Sequence, residues 1–251
     1  MQTSSEQLER YHADGFLSPI RVVDADTAQR YREAFDELEA LHGREHCQVG
    51  LHERHLDQRF LWDLASNPVI LDWMEALIGP NVLLLHSHVF CKYGPTEQFV
   101  AWHQDVTYWG LEPPMAVTAW YAIDDSDSGN GCMRVLPGSH KSEILEHGKS
   151  SREGNLLSVN QEVVVADDAE SRAVDLVLKA GEISIHHGRI LHDSQPNRST
   201  RRRSGFTVRY VPTTVRPTGE KEYHPIVMRG EDREQHFGTF PAPFPTSSGG
   251  G

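Results

Sequence analysis

At Val82 the apolar residues of this chain switch from a helical to a strand-like period, and that switch narrows the folds open to it more than any other feature. The stretch "VLLLHSHVFCKYG" alternates. As a strand it puts Leu83, Leu85, Val89, Cys91 and Tyr93 on one face, and Val82, Leu84, His86, His88, Phe90 and Lys92 on the other. Two histidines and a lysine among apolar neighbours fit either a half-exposed edge strand or the inside of a barrel that holds a polar ligand. Further strands are expected near residues 100–104, 115–123, 133–136, 174–178, 183–187 and 206–211, separated by "EPP", "SGNG", "PGSH", "AGE" and "PNRS". Short strands with turns at short intervals build a sandwich or a barrel, not alternating β/α units.

Upstream of the switch the chain reads as helical. Ala28, Tyr31, Ala34, Phe35, Leu38 and Leu41 recur on one helical face, with Asp24 or Asp26 to cap the start and Gly43 to end it. A second helix is expected from Asn67 and Pro68 through Val69, Ile70, Trp73 and Leu77 to Gly79. The expected organisation is one domain over 1–243: a helical part near 5–80, a β core near 81–215 and a C-terminal extension. The stretch 244–251 ("PTSSGGG" at its end) is expected to be a flexible tail. Residues 143–169 are polar and weakly periodic, so they read as a long insertion or lid.

Charge and cysteine content limit the partners. A net charge of −12 suits a phosphate backbone poorly, so no nucleic acid is expected. The apolar runs are too short to span a bilayer, and no charged-then-apolar leader precedes Gln7. Three widely spaced cysteines, Cys47, Cys91 and Cys132, point to a reducing, cytoplasmic setting and not to a disulfide framework. The expected partner is a small-molecule substrate; monomer and homodimer both stay open.

Three His-x-Asp pairs occur: His12–Asp14, His55–Asp57 and His103–Asp105. The first lies at the end of a short helix before Gly15 and the second in a charged segment without a strand pattern, and both read as surface residues. The third ends a strand-like stretch, where residues i and i+2 project to one side. His103 and Asp105 are therefore candidate metal ligands. A 2-His-1-carboxylate triad needs one more histidine and leaves three coordination positions open. Candidates are His186, His187 and His192 in "GEISIHHGRILHDSQPNRSTRRRSGFTVRY". Arg203 follows His192 by 11 residues, and its planar fork suits the far carboxylate of a chelating keto-acid. Ser194 offers a hydroxyl to the same carboxylate. Arg201 and Arg202 are expected to be solvated. Tyr108 and Trp109 either line a substrate pocket or pack the core. The face carrying His86 and His88 suggests a polar or anionic small molecule.

The motifs "WHQD" (102–105), "TAWYAIDD" (118–125), "NGCMRVLPGSHK" (130–141) and "LHDSQPNRSTRRR" (191–203), with "YHADGFL" (11–17), resemble the phytanoyl-CoA dioxygenase family. The resemblance spans roughly residues 7–215. It implies a mainly β fold with flanking helices, a double-stranded β-helix or cupin-type jelly roll. It also implies an Fe(II)- and 2-oxoglutarate-dependent dioxygenase that uses O2, with iron on His103, Asp105 and His192. Arg203, supported by Ser194, would bind 2-oxoglutarate. Trp120 matches a position near the co-substrate, and Lys92 matches a basic position in the strand before the metal motif. The family's proline-rich stretch after that lysine is replaced by "YGPTEQ", which loosens the match there. His186 and His187 match no ligand position. Halogenating relatives replace the carboxylate ligand with a small residue; Asp105 therefore implies hydroxylation. Desaturation or cyclisation of a natural-product or carrier-tethered substrate, a non-catalytic cupin-type binding protein, and a different metal enzyme on the same barrel are the competing readings.

Overall fold

The computed structural model describes residues 4–157, 160–238 and 240–244. The expected 244–251 tail lies outside them except for Phe244. The helix Ala25–His42 starts at Asp24, whose carboxylate accepts the Thr27 amide, and stops at Gly43. Its core face is Ala28, Phe35 and Leu38. Leu41 is 76% exposed, because the last turn runs past the edge of the core. The helix Pro68–Ile78 starts at Asn67 with proline in its first turn and ends at Gly79, as the sequence predicts.

Two antiparallel sheets follow. The larger has seven strands, including the order Phe16–Arg21, Glu182–His187, Val117–Ala122, Arg203–Pro212, Val82–Lys92 and Ile226–Arg229; Leu51–His52 also pairs with Val82–Lys92. The smaller runs Val174–Asp175, Met133–Val135, His192–Ser194, Val100–His103. The strands at Phe16, His192 and Ile226 are not apparent in the sequence, being short or lacking alternation. Met133–Val135 and His192–Ser194, far apart in the sequence, are brought together only by tertiary pairing.

Alternation on the large sheet separates two environments. Val117, Ala119, Tyr121, Ile183, Ile185, Phe206, Val208 and Tyr210 pack with helical Phe35, Leu61, Leu64, Ile70, Trp73 and Met74. Full burial of each large apolar side chain contributes about 1.5–3 kcal/mol. Tyr210 donates its hydroxyl to Ala65 O at 2.7 Å and ties the helix Arg59–Ala65 to the sheet. The intervening residues Thr118, Trp120, His186, Arg203, Thr207 and Arg209 face a cavity instead.

The predicted faces of Val82–Lys92 hold only in part. The register skips at Leu85, between the pairs Arg209–His86 and Tyr210–Leu84. That bulge exchanges the faces. Val82 and Leu84 join Val89 and Cys91 on the helix side, while Leu83 and Leu85 join a cluster with Val106, Trp109 and Tyr223. The three cysteines are buried with free thiols. Among the described residues no helix is long and apolar enough to cross a membrane.

Candidate active site

The cavity, about 510 Å³, is lined by residues of both sheets. His103 ends one strand of the small sheet, and His192 begins its neighbour and pairs with it directly. Asp105 lies two residues past His103, in a single 3-10 turn. One ligand atom from each of the three lies within 4.8 Å of the others, and all three residues are buried. Asp105 Oδ1 is 3.5 Å from His103 Nε2 and 3.8 Å from His192 Nε2. The two imidazole rings are 4.0 Å apart.

The backbone fixes which nitrogen faces inward. His103 Nδ1 donates to Ala101 O at 2.8 Å, and His192 Nδ1 donates to Ile190 O at 3.1 Å. Each Nε2 lone pair is left toward Asp105, as a metal-binding histidine requires. Burial and the nearby His103 hold the His192 imidazole well below its ordinary range, so it is neutral. Burial by itself pushes the Asp105 carboxyl up; interactions with His103 and His186, then with His192 and Arg209, more than reverse this, holding it well below the usual range. Two inward-facing imidazole nitrogens and a carboxylate, converging in a buried wall, fit a divalent iron. His186 is not a fourth member of this set. It lies 3.6 Å from the other oxygen, Asp105 Oδ2, which also accepts the Thr118 hydroxyl at 3.4 Å. His187 is turned away, its Nδ1 accepting the Arg189 amide.

The other His-x-Asp pairs lie elsewhere. His12 is exposed. His55 corrects the surface expectation: it is fully buried, with Nδ1 2.7 Å from Ser87 Oγ on the helix side of the sheet. The apolar Phe60–Leu64 helix packs over this segment, and the charged letters around His55 conceal it.

Arg203 is 3% exposed and has no carboxylate within 4 Å among the described residues. Its guanidinium lies over the Trp120 ring, 4.4 Å from the centroid, and Nε donates to Ser126 Oγ at 3.3 Å. Burial pushes it down to about 10. Such a cation calls for an anion from outside the chain. Ser194 lines the same part of the cavity. Lys92 does not reach the cavity. It stands behind Ser194, donating to Ser194 Oγ at 2.6 Å, Ser194 O at 3.2 Å and Gln195 O at 2.6 Å. Since Ser194 Oγ accepts from Lys92, its own proton is free to point elsewhere. Arg201 and Arg202 are not merely solvated. Arg201 grips Asp127, while Arg202 bonds Asp124, Asp36 and Glu39 and covers Phe35.

Tyr108, Trp109 and His88 all line the cavity. The Tyr108 hydroxyl is enclosed without a partner, and burial raises its pKa, so it stays a neutral donor. His88 Nε2 donates to Val49 O at 3.0 Å, and the ring stacks on His52 with centroids 4.1 Å apart. The 143–169 stretch contains the hairpin strands His147–Lys149 and Gln161–Val163 and places Leu156 and Leu157 in the cavity wall. Residues 158 and 159 lie outside the described residues. Sequence reasoning missed Arg209, Thr207, Lys221, Leu156 and Leu157 in this wall. For Arg209 a signal existed: it lies an even number of residues from Arg203 in one strand-like run.

Comparison with known proteins bears on this arrangement. A family model described as phytanoyl-CoA dioxygenase matches residues 11–205. Peroxisomal phytanoyl-CoA dioxygenase of Mus musculus is 27% identical over 217 residues, covering 77% of this chain and 64% of that enzyme's length. L-proline trans-4-hydroxylase of Streptomyces griseoviridis is 27% identical over 244 residues, covering 86% of this chain and 88% of the relative. Among solved structures, the non-heme monooxygenase ThoJ in its apo form superposes with a TM-score of 0.79 at 28% identity, over 94% of this chain and 87% of ThoJ.

Proposed function

The chain belongs to the phytanoyl-CoA dioxygenase family, and from that premise we propose that it is an Fe(II)- and 2-oxoglutarate-dependent dioxygenase. It hydroxylates an unactivated C–H bond of a small polar metabolite. One oxygen atom of O2 enters the alcohol and the other enters succinate, with loss of CO2. The scaffold is read as a double-stranded β-helix, supported by two antiparallel sheets that line one cavity.

The observation that carries this reading is Arg203. A buried cation with no carboxylate partner among the described residues shares a cavity with a converging His103, Asp105 and His192. Iron(II) bound to that set, with 2-oxoglutarate, supplies the oxidising power that the side chains lack. The chain's own residues do the rest. His103 and His192 present one nitrogen each because backbone carbonyls hold the other. Thr118 and His186 orient the carboxylate of Asp105. Arg203 binds the far carboxylate of the co-substrate, Trp120 supports the guanidinium from below, and Ser194 adds a hydroxyl donor. Tyr108, Trp109, Leu156 and Leu157 enclose the remaining space and exclude water from it.

The test is 2-oxoglutarate turnover, followed as succinate, with iron(II) and 2-oxoglutarate titrated anaerobically for the weak visible chelate band. Wild type forms the band and releases succinate. Asp105→Ala retains iron poorly and does not hydroxylate. Arg203→Gln raises the 2-oxoglutarate requirement about ten- to hundred-fold, the worth of a charge-assisted bond pair. Normal turnover by Asp105→Ala at saturating iron, or an unchanged 2-oxoglutarate requirement in Arg203→Gln, refutes the assignment.

A further inference from the structure

The strand Arg203–Pro212 carries a second arginine into the same cavity. Arg209 follows Arg203 by six residues, an even number, so both point inward; about 20 Å of strand separates their Cα atoms. The metal-ligand set lies against the same cavity wall.

The two arginines are built alike. Arg203 lies over Trp120 and touches one hydroxyl, that of Ser126. Arg209 lies over Trp109, 5.6 Å from the ring centroid, and touches one hydroxyl, donating from Nη1 to Thr207 Oγ1 at 2.6 Å. Thr207 is held in turn, donating to His88 O at 2.8 Å. Arg209 Nε is enclosed without a partner. Among the described residues no carboxylate lies within 4 Å of either guanidinium, whereas Arg134, Arg201 and Arg202 all have one. Lys221 lines the same end of the cavity and adds a second positive charge. Asp105 of the ligand set is the acidic group that acts most strongly on Arg209, and Glu53 comes next; the Glu53 oxygen is used by the Ser87 amide at 3.3 Å and faces His86 at 3.7 Å. Val49, Trp109, Leu156 and Leu157 line the cavity beside the imidazoles of His52, His86 and His88, all three of which feel the charge of Arg209.

We infer that Arg209 is the anchor for an oxyanion, a carboxylate or a phosphate, on the primary substrate. The inference rests on the oxygenase reading above and adds to it the substrate class: a small molecule, in part apolar, ending in an anion. One arginine of the strand fixes the co-substrate and the other fixes the molecule to be oxidised, so the reacting carbon is held between two anchored ends. Lys221, nearer the solvent, draws the anion in.

The experiment measures binding, not turnover. The protein is first loaded anaerobically with iron(II) and 2-oxoglutarate, which occupies Arg203; failure at this step refutes the oxygenase reading and not the role of Arg209. The loaded protein is then titrated calorimetrically with benzoate against benzamide, 3-phenylpropanoate against 3-phenylpropanamide, hexanoate against hexanamide, and phenyl phosphate against phenol. At least one anion is expected to bind about ten-fold or more tightly than its neutral partner. Arg209→Gln abolishes that preference, and Arg209→Lys, which keeps the charge, retains part of it and separates lost charge from lost fold. The carboxylate and phosphate pairs distinguish the two anions. If no anion in the panel outbinds its neutral partner, or if the preference survives in Arg209→Gln, the proposal is overturned.

Discussion

Replacing Gly205 with alanine tests how the co-substrate end is built. Gly205 lies opposite Ala122 in the large sheet, one strand from Trp120. Its backbone is ordinary strand, so the reason for glycine is space. A Cβ there would sit 1.9 Å from Trp120 Cζ2, 2.4 Å from Cε2 and 2.5 Å from Cη2. Ordinary van der Waals contact begins near 3.5 Å, so the indole must retreat by roughly 1–2 Å. Trp120 is 4% exposed and packs among Ala122, Met133, Val135 and Ile190, so the ring can give way only toward the cavity, where Arg203 lies over it. Overpacking of this kind costs about 1–3 kcal/mol. The same shift removes the ring from beneath Arg203, a contact worth on the order of 1–2 kcal/mol when desolvated. Gly205→Ala should therefore lose about 1–3 kcal/mol in chemical denaturation, and its 2-oxoglutarate requirement should rise about five- to thirty-fold. A double-mutant cycle sharpens the claim, because Trp120→Phe lacks the three clashing atoms. Gly205→Ala/Trp120→Phe should be more stable than the sum of the single changes by at least about 1 kcal/mol. Additive effects, or a Gly205→Ala protein with wild-type stability and 2-oxoglutarate requirement, would show that the glycine does not make room for the Trp120–Arg203 stack.

Two other perturbations separate neighbouring roles. Lys92→Met leaves the Ser194 and Gln195 carbonyls buried without a donor, which should cost about 1–3 kcal/mol of stability, while the 2-oxoglutarate requirement rises less than in Arg203→Gln; an equal rise would place Lys92 on the co-substrate itself. Burial lowers the His55 imidazole to about 4 from its ordinary value, so the folded form stays neutral where the unfolded chain takes up a proton. Its contribution is therefore fully present above about pH 6.5 and is lost as pH falls from there toward 4, amounting to about 2 kcal/mol at pH 5. Between pH 7.5 and 5, His55→Gln should lose about 2 kcal/mol less than wild type in urea unfolding, and identical losses would refute the assignment.

Much of the chemistry could be read from local spacing. His103 and Asp105 share a side because they are two residues apart at a strand end, and their types already limit the metal and the open positions. Caps at Asp24 and Asn67 and the glycines that end both helices were legible for the same reason: each acts within a few residues of itself. Local signals failed where a neighbour far along the chain decided the outcome. The skip at Leu85 exists because Tyr210 pairs with Leu84, and no pattern within "VLLLHSHVF" announces it. His55 looks exposed by composition but is buried because the Val82–Lys92 strand brings Ser87 to it. Arg202 is part of a structural clamp only because Asp36, Glu39 and Asp124 meet it from two other elements.

By itself, the sequence determined the residue types of the metal set and the strand-rich class, since these follow from periodicity and donor chemistry. Spacing left His186, His187 and His192 open and only the family motif singled out His192; the tertiary structure pairs His192 directly with His103. It also turned Lys92 from a cavity residue into the support for Ser194, and left Arg203 and Arg209 without carboxylates while every carboxylate near Arg201 and Arg202 was used. The physical reason is common to all three: burial makes an unpaired charge costly, and whether a partner arrives depends on which distant strands close around it.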